Sequence, residues 1–86
     1  MTLIETKGDV KFFKDEKGKL YQQIGEGEIF KVKDGNITYK TIKKVNGYTI
    51  KYENNGICGF SVFKGKENLE DRIWTIEEAE QIAKEL

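Results

Sequence analysis

The chain has 86 residues, 15 basic and 15 acidic side chains, a single cysteine, and neither histidine nor proline. The missing histidine excludes the common histidine-dependent nucleophilic mechanisms and the usual zinc and iron ligand sets, and one cysteine cannot form an internal disulfide. The sequence therefore predicts one small domain over residues 1–86 with no catalytic residue, no metal ligand and no cofactor.

The N-terminal part of the chain predicts a hairpin. Lys11-Phe12-Phe13 and the segment Leu20–Ile24 flank a polar stretch, Lys14–Lys19, and two short segments of this kind separated by turn residues are typical of paired strands. A loosely held segment over 1–27 is the alternative that the sequence leaves open.

Three turn dipeptides follow, Asp34-Gly35, Asn46-Gly47 and Asn55-Gly56, each between segments of alternating polarity. Such dipeptides are the strongest local signal for hairpins. We therefore expect a four-stranded antiparallel meander with strands near 28–33, 36–45, 48–53 and 57–63.

Two-residue turns at the first two dipeptides set the register of three of these strands. The turn at Asp34-Gly35 pairs Phe30 with Tyr39. The turn at Asn46-Gly47 pairs Val45 with Tyr48 and Thr41 with Tyr52.

A three-residue loop over 54–56 is preferred at the third turn, because it pairs Tyr52 with Cys58 and Ile50 with Phe60 and so keeps apolar residues together. The resulting apolar face, interrupted by Thr41 and Lys43, comprises Phe30, Val32, Ile37, Tyr39, Val45, Tyr48, Ile50, Tyr52, Cys58, Phe60 and Val62.

A C-terminal helix is expected to cover that face. Thr75-Ile76-Glu77-Glu78 has the pattern of a capping box, and apolar residues recur at helical spacing from Ile76 to Leu86. The polar stretch 64–72 is expected to form a loop or a single helical turn, and Trp74 to anchor the helix to the sheet. The predicted fold is α+β: a meander, an N-terminal hairpin and one helix packed on the apolar face.

The predicted register also defines an outer sheet face with a possible binding role. Residues 1–47 contain ten lysines and seven acids (net +3), whereas residues 48–86 contain five basic and eight acidic residues (net −3). An ordinary solvated face is the alternative interpretation, because lysine on outward positions keeps a sheet soluble. The candidate partner-binding residues on this face are Lys31, Lys33, Lys40, Ile42, Lys44, Lys51 and Phe63.

The C-terminal half contains Gly47-Tyr48-x-Ile50, Gly59-Phe60-x-Val62 and Thr75-Ile76-Glu77-Glu78-Ala79. This pattern resembles the strand–strand–helix endings of small phage and mobile-element proteins. It is also similar to the three-stranded sheet plus helix of integrase arm-binding domains, and that resemblance implies a DNA-binding role. No family is assigned from it.

The sequence favours a small non-catalytic binding protein that docks a sheet face or edge onto a macromolecule, such as a phage or mobile-element regulator or inhibitor. A protein partner is the first expectation, and a homodimer is a further one. The alternative function is a nucleic-acid-binding module that uses the lysine-rich outer face. The unpaired thiol and the lack of a membrane-length apolar run predict a cytoplasmic protein without membrane contact.

Overall fold

Across residues 1–33 and 35–86, which the computed structural model describes, two antiparallel four-stranded sheets and one helix confirm the α+β class. The strands of the first sheet are β1 (Thr2–Lys7), β2 (Val10–Lys14), β3 (Leu20–Ile24) and β4 (Ile29–Lys31). The second sheet and the helix comprise β5 (Tyr39–Val45), β6 (Tyr48–Glu53), β7 (Phe60–Lys64), β8 (Glu67–Ile73) and α1 (Ile76–Glu85).

The predicted single meander is divided between the two sheets. Strand β4 pairs with β3, so that Phe30 lies opposite Gln22, whereas β5 pairs with β6 and Tyr39 lies opposite Glu53. The expected pairing of Phe30 with Tyr39 is therefore wrong. The turn proposed at Asp34-Gly35 includes Asp34, which lies outside the described residues.

The predicted N-terminal hairpin is confirmed as β2 and β3, with Phe13 opposite Tyr21. The sequence interpretation did not include β1, which pairs antiparallel with β2 and bulges between Leu3 and Glu5. All six residues of β1 are exposed, and so the strand lacks the half-buried alternation by which sequence patterns are recognised.

A bulge in β5 changes the faces on which its residues lie. Val45 pairs with Tyr48 across the Asn46-Gly47 turn as predicted, but the register shifts between Thr41 and Lys43. Thr41 then lies opposite Lys51 rather than Tyr52. One extra residue in a strand exchanges the two faces beyond it.

The loop between β6 and β7 is longer than the predicted three residues. Tyr52 pairs with Phe60 instead of Cys58, which moves the register by two residues. A shift of two leaves every side chain on its predicted face, so Ile50, Tyr52, Phe60 and Val62 are all fully buried. Cys58 lies in the loop and is only half-buried, contrary to the prediction that it faces the core.

The segment predicted as a loop or a helical turn over 64–72 is largely strand β8. It pairs with β7 through registers that shift around Val62, which lies opposite Glu70. Six of its seven residues are exposed. The strand is therefore held mainly by backbone hydrogen bonds along the sheet edge. Because its side chains are polar and exposed, the sequence carries little hydrophobic alternation from which this strand could be predicted.

The C-terminal helix forms as predicted. Thr75 is its N-cap, and the Glu78 amide donates a hydrogen bond to Thr75 Oγ1 at 3.1 Å. Ala79 and Ala83 are buried, and α1 contacts all four strands of the second sheet. Small residues on this face let the helix lie close to Ile50 and Val62.

The two sheets share one core. Tyr52 from the second sheet packs edge-to-face against Phe30 from the first, with ring centroids 6.3 Å apart. The Tyr52 hydroxyl donates to Gln22 Oε1 at 2.7 Å, and Gln22 Nε2 donates to the Asn54 carbonyl at 2.5 Å. Buried polar groups are tolerated when they are paired, and here their pairing joins the sheets.

Candidate functional site

The structure distributes the predicted lysine-rich face over several places. Lys31 lies on the first sheet opposite Tyr21. Beyond the β5 bulge, Lys40 lies opposite the buried Tyr52, and Ile42 packs against the core instead of facing outward. The prediction that these residues share one outer face is wrong, because the bulge and the division into two sheets separate them.

Lys44, Lys51 and Phe63 do lie on the outer face of the second sheet, in pairs with Thr49 and Ser61. Phe63 is only 6% exposed, since Lys51 places its ammonium 4.5 Å from the centroid of the Phe63 ring. Phe63 is therefore covered within the chain and offers little ring surface to a partner.

Lys33 lies beside Lys31 and Lys40 in a cleft of about 410 Å³ at the junction of the two sheets. Phe30 and Tyr39 also line this cleft, hereafter the inter-sheet cleft. Lys40 Nζ lies 5.0 Å from the centroid of the Phe30 ring. Three of the seven predicted residues are thus brought together, but in a cleft rather than on a sheet face.

The outer side of the first sheet carries a surface that the sequence interpretation missed. Antiparallel pairing aligns two rows of side chains across the four strands. We call this surface the aromatic face; its rows are Leu3, Phe13, Tyr21, Lys31 and Thr6, Lys11, Gln23, Ile29.

One row of the aromatic face is apolar in its middle, at Phe13 and Tyr21, whereas Lys11 and Gln23 occupy the middle of the other row. Phe13 and Tyr21 are neighbours on adjacent strands, and Leu3 and Ile29 are 50% and 42% exposed. The opposite side of the sheet packs into the core through residues such as Val10. Neighbouring strands lie about 4.8 Å apart, so a row of four spans about 14 Å.

The two charged residues in the rows of the aromatic face are both lysines. Lys11 and Lys31 are both exposed, and the eight residues include no carboxylate. Asp15 lies beyond the end of Tyr21, whose hydroxyl donates to Asp15 Oδ2 at 3.3 Å. Backbone hydrogen bonds, chiefly from Lys19, hold the pKa of Asp15 below its ordinary value.

The signal for this face was present in the hairpin. Phe13 and Tyr21 come together if the β2–β3 loop spans five residues, 15–19, as the structure shows. That register also turns Phe12 towards Gln22 and the core. Only the later turns carry dipeptides that fix a register, so the sequence alone leaves the pairing of this hairpin open.

The single thiol is held in its protonated form. Its hydrogen bond to the Glu53 carboxylate, together with burial, raises the pKa of Cys58 to about 11. The Cys58 amide also donates to Glu53 Oε2 at 2.9 Å. Because the thiolate is the nucleophile, a thiol with a raised pKa is a poor one at neutral pH.

Two tyrosines have raised pKa values as well. Burial, followed by the nearby Glu53 carboxylate, raises the pKa of Tyr52 and of Tyr39. Both phenols therefore stay neutral and act as hydrogen-bond or stacking groups rather than as bases.

Within the described part of the chain, no three acidic or cysteine side chains come close enough together to hold a metal ion. No helix there has the length and apolar character needed to cross a bilayer.

Comparison of the chain with protein-family models, curated proteins and solved structures finds no match.

Proposed function

We propose that this protein is a non-catalytic binding module that docks the aromatic face of its first sheet onto another protein. The observation that carries the proposal is the neighbouring pair Phe13 and Tyr21, with the exposed Leu3 next to Phe13 in the same row and the exposed Ile29 on the strand beside Tyr21. Contiguous apolar surface of this kind on a small protein marks interaction sites. Aromatic residues are also those that contribute most binding energy at protein interfaces.

The partner that fits this face is an acidic, amphipathic protein segment. Lys11 and Lys31 lie in the two rows, and no carboxylate among the eight residues opposes them. Complementary charge selects partners and speeds their encounter. A face about 14 Å across accommodates one helix or strand rather than a large globular surface.

Several properties support binding rather than catalysis. The chain has no histidine, and the thiol of Cys58 has a pKa raised to about 11 by its hydrogen bond with Glu53. For a protein of this size without an activated nucleophile, the simplest mode of action is to bind its partner and block part of the partner's surface. We therefore infer a regulator or inhibitor, working in the cytoplasm of a prokaryotic cell and encoded by a phage or another mobile element.

The experiment compares capture of partners from the native host by two matched double variants. Leu3→Ser with Ile29→Ser removes the exposed apolar groups of the aromatic face. Ile57→Ser with Leu69→Ser removes two other exposed apolar groups elsewhere, 67% and 36% exposed. The recovered protein is then purified, and its dissociation constant is measured with each variant.

We expect the aromatic-face variant to bind the purified partner at least about tenfold more weakly, because each buried aliphatic group contributes roughly 1.5–3 kcal/mol. The control variant retains the affinity of the unmodified protein. Equal affinities for the two variants contradict the proposal. So does capture of nucleic acid or of a second copy of the chain, detected by absorbance and by sedimentation, in place of an acidic protein.

A further inference from the structure

The inter-sheet cleft has the size and lining of a small-ligand site. Its volume is about 410 Å³, within the range of roughly 300–1,000 Å³ that such sites occupy. It lies where the chain passes from β4 towards β5, with Phe30 on one side and Tyr39 on the other. It shares Lys31 with the aromatic face, but neither Phe13 nor Tyr21 lines it.

Cationic groups dominate its polar lining. Lys31, Lys33 and Lys40 line the cleft, and its described lining includes no carboxylate. The Lys40 ammonium is held over the Phe30 ring at 5.0 Å, which keeps it at the cleft. Three ammonium groups around one opening favour a ligand that carries a phosphate.

An aromatic ring is available beside these charges. Tyr39 is 37% exposed, and its ring meets Phe63 edge-on at 65° with centroids 5.0 Å apart. This contact fixes the orientation of the Tyr39 ring. It covers only part of the ring surface, and the rest is exposed. A partly exposed tyrosine next to lysines suits a flat, anionic ligand, because bases stack on aromatic side chains.

Asn54 is a buried and fixed part of the cleft lining. It lines the cleft and is only 8% exposed, yet its side-chain Oδ1 has no hydrogen-bond partner among the described residues. The rest of the residue is fixed, since its amide donates to the Thr38 carbonyl at 3.0 Å and its Nδ2 donates to Thr38 Oγ1.

We propose that the inter-sheet cleft binds a nucleotide: the base stacks on Tyr39, and the phosphate contacts Lys33 and Lys40. A free nucleotide and one unit of a single-stranded nucleic acid share this chemistry. Lys31 is common to the cleft and the aromatic face, but the contacts proposed here are those of Tyr39, Lys33 and Lys40, so either proposal can fail alone.

The test measures backbone amide shifts by NMR during titration of the full chain. The probes are adenosine 5′-monophosphate, adenosine, inorganic phosphate and a short single-stranded oligoadenylate. Lys40→Gln removes one ammonium from the cleft. Lys44→Gln is the matched control, because it makes the same change on the same strand but opposite Thr49 on the outer face.

We expect adenosine 5′-monophosphate or the oligoadenylate to shift the amides of Lys33, Tyr39, Lys40 and Asn54. Adenosine and inorganic phosphate each bind more weakly, since each supplies half of the contacts. Lys40→Gln weakens binding about tenfold, whereas Lys44→Gln leaves it unchanged. Preference for the mononucleotide or for the oligoadenylate then identifies the source of the ligand.

Three results overturn the proposal. The first is the absence of amide shifts with either nucleotide probe at millimolar concentration. The second is equal weakening by Lys40→Gln and Lys44→Gln, which indicates attraction to the general charge of β5 and no defined site. The third is unchanged affinity in a Tyr39→Leu variant, because it shows that the base does not stack on Tyr39.

Discussion

Asp9 of the first sheet caps the C-terminal helix: its Oδ2 accepts a hydrogen bond from the Ile76 amide at 2.7 Å. The same residue donates its own amide to the Trp74 carbonyl at 2.8 Å and accepts from the Gly25 amide at 2.7 Å. The first amides of a helix lack intrahelical partners, and here a carboxylate 67 residues away in sequence satisfies one of them. Asp9 therefore joins the β1–β2 turn to the start of α1.

Asp9→Ala is expected to lower the free energy of unfolding by about 1–2 kcal/mol, the usual loss when a helix cap is removed. Asp9→Asn retains an oxygen acceptor and loses only the charge, which is worth roughly 0.3–1 kcal/mol at a helix N-terminus. Urea unfolding followed by circular dichroism measures both variants. If Asp9→Ala unfolds at the same urea concentration as the unmodified protein, this contact does not hold the helix.

Gly59 and Gly65 offer a matched pair for testing close packing beside Trp74. Both have positive φ, 63° and 61°, but a Cβ at Gly59 falls 2.6 Å from the Ile73 carbonyl oxygen, whereas a Cβ at Gly65 meets nothing within 4 Å. Gly65→Ala therefore costs only the backbone strain, about 1–2 kcal/mol. Gly59→Ala adds a steric clash and is expected to cost about 2–5 kcal/mol in all. Equal losses in urea unfolding contradict this assignment.

The ion pair between Lys43 and Glu80 predicts a pH effect. Lys43 Nζ lies 2.7 Å from Glu80 Oε1, and this hydrogen bond holds the pKa of Glu80 below its ordinary value. A carboxyl whose folded pKa is lowered stabilises the fold above its unfolded pKa, and the contribution is lost as pH falls through the folded pKa. In an NMR titration, Lys43→Met should return the Glu80 pKa to its ordinary value, while Lys44→Met on the opposite face should not. A Glu80 pKa that is unchanged in Lys43→Met contradicts the pairing.

Cys58 should react slowly with alkylating reagents until the pH is strongly alkaline. Its hydrogen bond with Glu53 raises the pKa to about 11, and only the thiolate reacts. The rate of reaction with iodoacetamide should therefore level off only above that value. Glu53→Gln should move the inflection towards the ordinary cysteine value of about 8.5. An inflection already at the ordinary value in the unmodified protein contradicts the thiol–carboxylate contact.

The same contact has a consequence for stability. Because the folded pKa of Cys58 is raised, its contribution is fully present below the unfolded pKa and is lost as pH rises through about 11. Tyr39 and Tyr52, whose pKa values are also raised by burial, act in the same direction. Thermal unfolding is therefore expected at progressively lower temperature as the pH rises through this range, and a midpoint independent of alkaline pH contradicts the account.

The sequence predicted elements whose signals are local. The capping pattern at Thr75 identified the helix, and Asn46-Gly47 indicated the pairing of Val45 with Tyr48. Alternation placed Ile50 and Phe60 on the buried face even though their pairing was wrong by two residues, because a shift of two preserves the face.

Features that depend on distant contacts could not be predicted in this way. A bulge at Ile42 reverses the faces of Lys40 and Tyr39, and no dipeptide marks it. The chain forms two sheets because β4 pairs with β3 instead of β5. The alternation of polar and apolar residues within β4 does not determine which strand it pairs with. For this reason the residues of the predicted lysine-rich face lie in several places. The aromatic face was missed because no turn dipeptide fixes the register of the β2–β3 hairpin that forms it.

Binding of an acidic protein segment to the aromatic face is tested most directly by a contact map of the complex. A photoreactive amino acid at Phe13 or Tyr21, with Ile57 as the control position, reports which surface meets the purified partner. We expect crosslinks from Phe13 and Tyr21 to an acidic segment of the partner and none from Ile57. Crosslinks from Ile57 alone, with none from the aromatic face, contradict the account.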